Sequence, residues 1–173
     1  KGLAIETLEK EWIEYPVLHF DLSTFKNCDL SLFPEKFDMQ LRRFEKQFGI
    51  EDMRKSAGNR LTQLIEQAES MTGRKVVIII DEYDAPLLDV LHDETKLEAV
   101  RTIMQEFYAP IKANSSHIHF AFITGITKFS QLSIFSTINN LTNISMDPEF
   151  STICGITKDE LDTVLKEDIA LLA

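Results

Sequence analysis

The stretch "KVVIIIDEYDAPLL", residues 75–88, places an unbroken β-branched run, Val76 to Ile80, directly before two carboxylates, Asp81 and Glu82. β-branched side chains lose rotamer freedom in a helix and pack well on a pleated surface, so the run reads as a strand. No polar residue interrupts it, so the strand reads as buried; with helices between the strands, the sheet is expected to be parallel and covered on both faces. Its acidic end has two readings. The carboxylates can be ordinary polar ends at a sheet rim, or the first can hold magnesium or its bound water while the second orients an attacking water. An apolar run followed by Asp-Glu does not by itself separate them.

Moving outward, the chain alternates strands with helices. Upstream, "YPVLHFDLS" (15–23) reads as a strand that is at least half buried, with Pro16 tolerated at its beginning. Phe37, Leu41, Phe44 and Phe48 recur at helical spacing, with Arg42, Arg43, Glu45 and Lys46 between them, and predict a core-facing amphipathic helix ending near Gly49. Leu61, Leu64, Ile65, Ala68 and Met71 mark the inward face of a second, with Gly73 at its left-handed C-cap. Downstream, a helix is predicted from Glu94 to Lys112, bent or ended by Pro110, and then a strand "HIHFAFIT" (117–124). Leu3, Ile5, Leu8 and Trp12 suggest a short helical face, and the apolar piece around Ile144 a last strand. "TKDE" (157–160) is a capping box that opens a helix with Leu161, Val164 and Leu165 inward.

The expected fold is α/β, a parallel sheet flanked by helices, with residues 1–173 forming one domain. Ligands of such sheets gather at the C-terminal strand edge. Asp21, the pair Asp81 and Glu82, and Thr124 with Thr127 and Lys128 all follow proposed strands, so the topology draws them toward one rim.

Eighteen basic residues against twenty-eight acidic ones give a formal charge of −10, which excludes a broad cationic surface and direct nucleic-acid binding by this chain. Cys28 and Cys154 lie far apart in no metal-like spacing and are expected as thiols in a reducing cytoplasm. The run Val76 to Ile80 is too short to span a bilayer, and the N-terminus has no signal pattern.

Three ordered blocks carry a family resemblance: "IIIDEYDAPL" (78–87), "FITGITKFSQLSIFSTINNLTNIS" (122–145) and "CGITKDEL" (154–161). With "YPVLHFDLS" before them, the chain resembles over nearly its whole length the predicted AAA-ATPase-like family of Bacteroides-type bacteria, in which a PD-(D/E)XK nuclease-like domain usually follows. The resemblance implies a P-loop-like core that hydrolyses ATP with Mg2+. By it, Asp81 is the metal-directed Walker B carboxylate and Glu82 the catalytic one. Thr124 corresponds to the sensor of the γ-phosphate, with Thr127 and Lys128 beside it as nucleotide-binding neighbours. Thr124 also fits a satisfied strand-end hydroxyl. Asp84, Asn139 and Asn140 belong to the family's wording without an assigned role, and turn or cap duties would explain all three.

A P-loop is missing from this sequence. Its glycines stand at 2, 49, 58, 73, 125 and 155, and none is followed by Lys-Ser or Lys-Thr; Lys55-Ser56 lacks the glycine. In the family the phosphate-binding segment precedes the point where this chain begins. The expectation is a fragment without the first strand and P-loop, inactive alone, whose intact parent binds nucleotide and leaves room for a homo-oligomer. Nuclease activity is not expected of this chain. A reading of another class is a non-catalytic protein-interaction or regulatory module. His117 and His119 could share a strand face as metal ligands, though a structural role is the simpler reading. Asp89, His92, Asp93 and Glu94 fit a solvated helix start.

Overall fold

The computed structural model describes residues 5–51, 56–126, 140–153 and 156–172. The β-branched run forms the middle of a three-stranded parallel sheet: β2 (Val76–Asp81) lies between β1 (Val17–Asp21) and β3 (Ile118–Ile123). Residues 17–21 pair in register with 77–81, so Asp21 stands beside Asp81, and Ile80 stands beside Ile123. Between β1 and β2 the chain forms α2 (Phe33–Gln47) and α3 (Ala57–Thr72); between β2 and β3 it forms α4 (Ala85–Leu88) and α5 (Glu94–Ala113). A four-residue helix, α1 (Ile5–Leu8), buries nothing, and Trp12 after it is exposed.

Period-two geometry sends alternate strand residues to opposite faces. Leu18 and Phe20 of β1 and Val76, Ile78 and Ile80 of β2 are fully buried on one of them. Phe20 meets Phe44 of α2 and Phe107 of α5 edge-on, each with ring centroids 5.3 Å apart. Phe37 of α2 meets the same Phe107, while α3 packs on both helices. The opposite face carries Val17, Val77, Ile79, Phe120 and Phe122, of which Phe120 is 54% exposed. Among the described residues, the helices that reach the core therefore lie on a single face, where the alternation of strands with helices predicted cover on two. Crossovers of one hand between strands in sequential order β1-β2-β3 place their helices on the same face, so alternation alone does not require cover on both.

The outer edge of β1 is closed by side chains of α2. The Asp21 N–H donates to Gln40 Oε1 (3.1 Å) and Gln40 Nε2 donates to the Asp21 carbonyl (2.6 Å), so one amide takes the place of a neighbouring strand. Arg43 Nη2 donates to the His19 carbonyl at 2.7 Å. Helices α2 and α3 are joined by an ion cluster. Arg60, 6% exposed, grips Glu45 through Nε and Nη2 (2.6 and 2.7 Å) and reaches Asp38 through Nη1 (2.9 Å). Glu45 is 1% exposed although its neighbours Arg42, Arg43 and Lys46 suggest a polar face. Only a fixed, bidentate partner makes such burial tolerable.

Helix α3 runs from an Ser56 N-cap to Gly73, which has φ +66° as expected of the left-handed C-cap; Met71 is exposed rather than inward. Helix α5 continues through Pro110 to Ala113 instead of stopping there.

The chain divides into two compact units, residues 1–139 and 140–173. The second contains a 3-10 turn (Pro148–Phe150), α6 (Lys158–Asp162) and α7 (Lys166–Leu172). The capping box is present: Glu160 N–H donates to Thr157 Oγ1 (3.2 Å) and Thr157 N–H to Glu160 Oε2 (2.8 Å). Leu161 and Val164, expected inward, are exposed, and residues around Ile144 form no strand. A capping box specifies where a helix starts, not what its face meets. No described helix is long and apolar enough to cross a membrane.

Replacing Arg60 by Met would leave Glu45 charged and buried without a partner, an expected loss of about 3–5 kcal/mol in urea unfolding. Adding Glu45→Leu should recover most of it; equal stability of Arg60→Met and the parent would show that the cluster is idle. A second expectation concerns acid. Hydrogen bonds from Ser23 to Asp21, from Ser31 to Asp29 and from Lys96 to Asp93 hold these three capping carboxyls below their usual 3.8. Because the folded values are depressed, their contribution is complete above that pH and is lost as pH falls through the folded values. Replacing all three by Asn, which still caps, should flatten the decline in melting temperature between about pH 5 and pH 3.

Candidate functional site

The parallel ladder continues one residue beyond β3. The Thr124 N–H donates to the Ile80 carbonyl and the Thr124 carbonyl accepts from the Tyr83 N–H, both at 2.9 Å. This clasp sets Thr124 beside Asp81, and its hydroxyl donates to Asp81 Oδ1. The same oxygen accepts from the Glu82 N–H at 3.1 Å, so Oδ2 of the exposed Asp81 has no protein donor among the described residues.

Glu82 leaves the strand with φ +55°, a left-handed conformation uncommon outside glycine. Its carboxylate accepts from Lys26 Nζ at 2.8 Å. The two acids thus engage opposite neighbours, Asp81 toward β3 and Glu82 toward the segment after β1. The bond to Glu82 is the main cause of a raised Lys26 pKa.

Immediately after the pair, Asp84 is fully buried and its Oδ2 accepts from the Ile126 N–H at 3.1 Å. Between Thr124 and Ile126 a glycine is needed. A Cβ on Gly125 would lie 2.5 Å from two ring carbons of Tyr83 and 2.6 Å from Asp84 Oδ1. Tyr108 of α5, whose hydroxyl pKa is pushed well up by burial, donates to the Tyr83 carbonyl at 3.3 Å. Asp84 and Gly125 therefore fix the loop that carries Thr124.

A family model described as predicted AAA-ATPase matches residues 1–135, which contain all three strands and this rim. The chain belongs to that family. A curated protein of Azotobacter chroococcum mcd 1, described as "Uncharacterized protein in vnfD 5'region", is 36% identical over 125 residues, 72% of this chain and 24% of that protein. The chain thus spans about a quarter of that relative's length. No solved structure matches.

Within this AAA-ATPase-like chain, Asp81, Glu82 and Thr124 meet at one rim of the sheet, and Asp21 stands beside them on β1, its carboxylate capping the turn at Ser23. Thr127, Lys128, Asn139 and Cys154 lie outside the described residues, and Asn140 begins the second unit. Cys28 is a free thiol. His117 and His119 do not act together: His117 Nδ1 pairs with the Glu69 carboxylate, and His119 stacks on Tyr15 with centroids 4.3 Å apart. Asp93 caps α5, as expected of a helix start. Lys26 is the site residue that sequence reading missed; its one signal is its place five residues past Asp21, after a strand end.

The donors at the rim fit magnesium, a hard cation that takes one or two carboxylates and completes its shell with water and phosphate oxygens. Asp81 Oδ2 would be the oxygen offered to such an ion. No group of three or more His, Cys, Asp or Glu side chains able to cage a metal occurs among the described residues.

Gly125→Ala should force the 124–126 loop off Tyr83 and Asp84 and lower stability by about 1–3 kcal/mol in urea unfolding. A variant as stable as the parent would mean that the approach of this loop is loose.

Proposed function

We propose that this chain carries the metal-directing and water-orienting part of a magnesium-dependent ATP hydrolase. Asp81 directs the metal, Glu82 orients the attacking water and Thr124 senses the γ-phosphate, with Thr127 and Lys128 as further nucleotide contacts. The observation that carries the reading is the hydrogen bond from the Thr124 hydroxyl to Asp81 at the exposed rim. Membership of a predicted ATPase family supports the substrate class.

Magnesium, when bound, would neutralise charge on the phosphate oxygens. The residues supply the rest. Asp81 presents Oδ2 to the rim while Thr124 and the Glu82 N–H hold its other oxygen. The Thr124 hydroxyl can turn its proton from Asp81 to a phosphate oxygen, which gives it different bonds with and without nucleotide. Glu82 accepts a hydrogen bond from water and aligns it for in-line attack. The phosphate cradle has no counterpart in this sequence, since no glycine precedes a Lys-Ser or Lys-Thr pair. We therefore propose that the 173-residue chain alone neither binds ATP tightly nor hydrolyses it.

In the protein expressed from its complete gene, Glu82→Gln should retain nucleotide and lose turnover by about 100-fold or more. Asp81→Asn should abolish the magnesium dependence of binding. Unchanged turnover in Glu82→Gln would overturn the hydrolase reading and favour a non-catalytic interaction module. Calorimetry of this chain with ATP and magnesium should show no micromolar binding; finding it would refute the proposal that these residues alone do not hold ATP.

A further inference from the structure

The contact between Lys26 and Glu82 joins residues 56 positions apart, and both ends of it are held by backbone. Among the described residues only two other than glycine have positive φ: Asn27 at +54° and Glu82 at +55°. Asn27 follows one partner of the ion pair and Glu82 is the other. Left-handed backbone is costly for residues other than glycine and persists where the surroundings demand it.

On the lysine side, the Lys26 N–H donates to the Ser23 carbonyl at 3.1 Å, closing the 3-10 turn (Leu22–Phe25) that follows β1. The next N–H, of Asn27, donates to the carboxylate of Asp89 at the end of α4. On the glutamate side, Tyr83 N–H is clasped by Thr124, and the Ala85 N–H donates to the Glu82 carbonyl at 3.0 Å. A long lysine on a mobile surface loses much rotamer freedom on pairing, and most exposed pairs contribute little. Here the two backbones are already placed, so the pair serves to hold one carboxylate in one position.

We propose that Lys26 is a positioning residue that holds the Glu82 carboxylate where it aligns water, keeping it apart from the Asp81 carboxylate engaged by Thr124. The proposal rests on the hydrolase reading. It adds a residue from the β1 exit to a site otherwise built from the ends of β2 and β3. Without the ammonium, Glu82 would be free to rotate about its side-chain bonds, and water would be aligned in a smaller share of encounters.

The test uses the protein from its complete gene, with Glu82→Gln as the reference. Lys26→Met should lower kcat for ATP by about 10- to 100-fold and leave KM within about twofold, because aligning the water is a transition-state contribution. Lys26→Arg, which keeps the charge and reach, should restore most of kcat. In the Glu82→Gln background Lys26→Met should cause no further loss, since the two residues act as one unit. As a measurement independent of turnover, the 13C resonance of the Glu82 carboxylate in this chain should move in Lys26→Met and stay in place in Lys75→Met, which removes a lysine before β2. Melting temperatures of the variants exclude unfolding as the cause.

Loss of turnover in Glu82→Gln with normal or raised kcat in Lys26→Met would overturn the role of Lys26 alone. An unmoved Glu82 resonance would do the same. Normal turnover in Glu82→Gln would remove the hydrolase reading and this proposal with it.

Discussion

The clasp between Thr124 and the end of β2 is the constraint on which the rest of the rim depends. Two backbone bonds, to the Ile80 carbonyl and from the Tyr83 N–H, extend the parallel ladder past the last residue of β3. They bring a hydroxyl to a carboxylate 43 residues away in the chain. Such a contact cannot persist on loops alone, because the entropy of holding distant segments together exceeds what one exposed hydrogen bond returns. The central position of β2, paired on both sides and buried on one face, supplies that rigidity.

Burial and satisfaction of polar groups are solved together in this fold. Helix α2 covers the sheet through Phe44, meets α5 through Phe37, closes the free edge of β1 through Gln40 and Arg43, and anchors α3 through Glu45 and Asp38. One helix therefore connects the sheet's edge, its core and the neighbouring helix. Asp84 acts similarly at the rim, a buried acid that ties the start of α4 to the loop carrying Thr124.

Electrostatics sharpen the functional reading. Asp21, Asp81 and Glu82 meet at the rim of a chain whose formal charge is −10, and Lys26 is already engaged by Glu82. A polyphosphate would meet repulsion there unless a divalent cation and further positive groups came with it. The acidic rim is thus the part of the proposed site that a cation would meet first.

Features set by neighbours a few residues apart were legible beforehand. The β-branched run of β2, the helical spacing of Phe37, Leu41 and Phe44, the Gly73 C-cap and the Thr157–Glu160 capping box all follow from local sterics and hydrogen bonding, and each occurs where the pattern places it. The rim itself was legible as topology, since residues after parallel strands must emerge on one side. Hydrophobic pattern, however, records which residues avoid water and not which partner meets them. The exposure of Phe120, the burial of Glu45 and the exposure of Leu161 all escaped it. So did Lys26 on Glu82 and the fit of Gly125 against Tyr83, because each depends on segments brought together across the sheet, and that closeness exists only once the chain has folded.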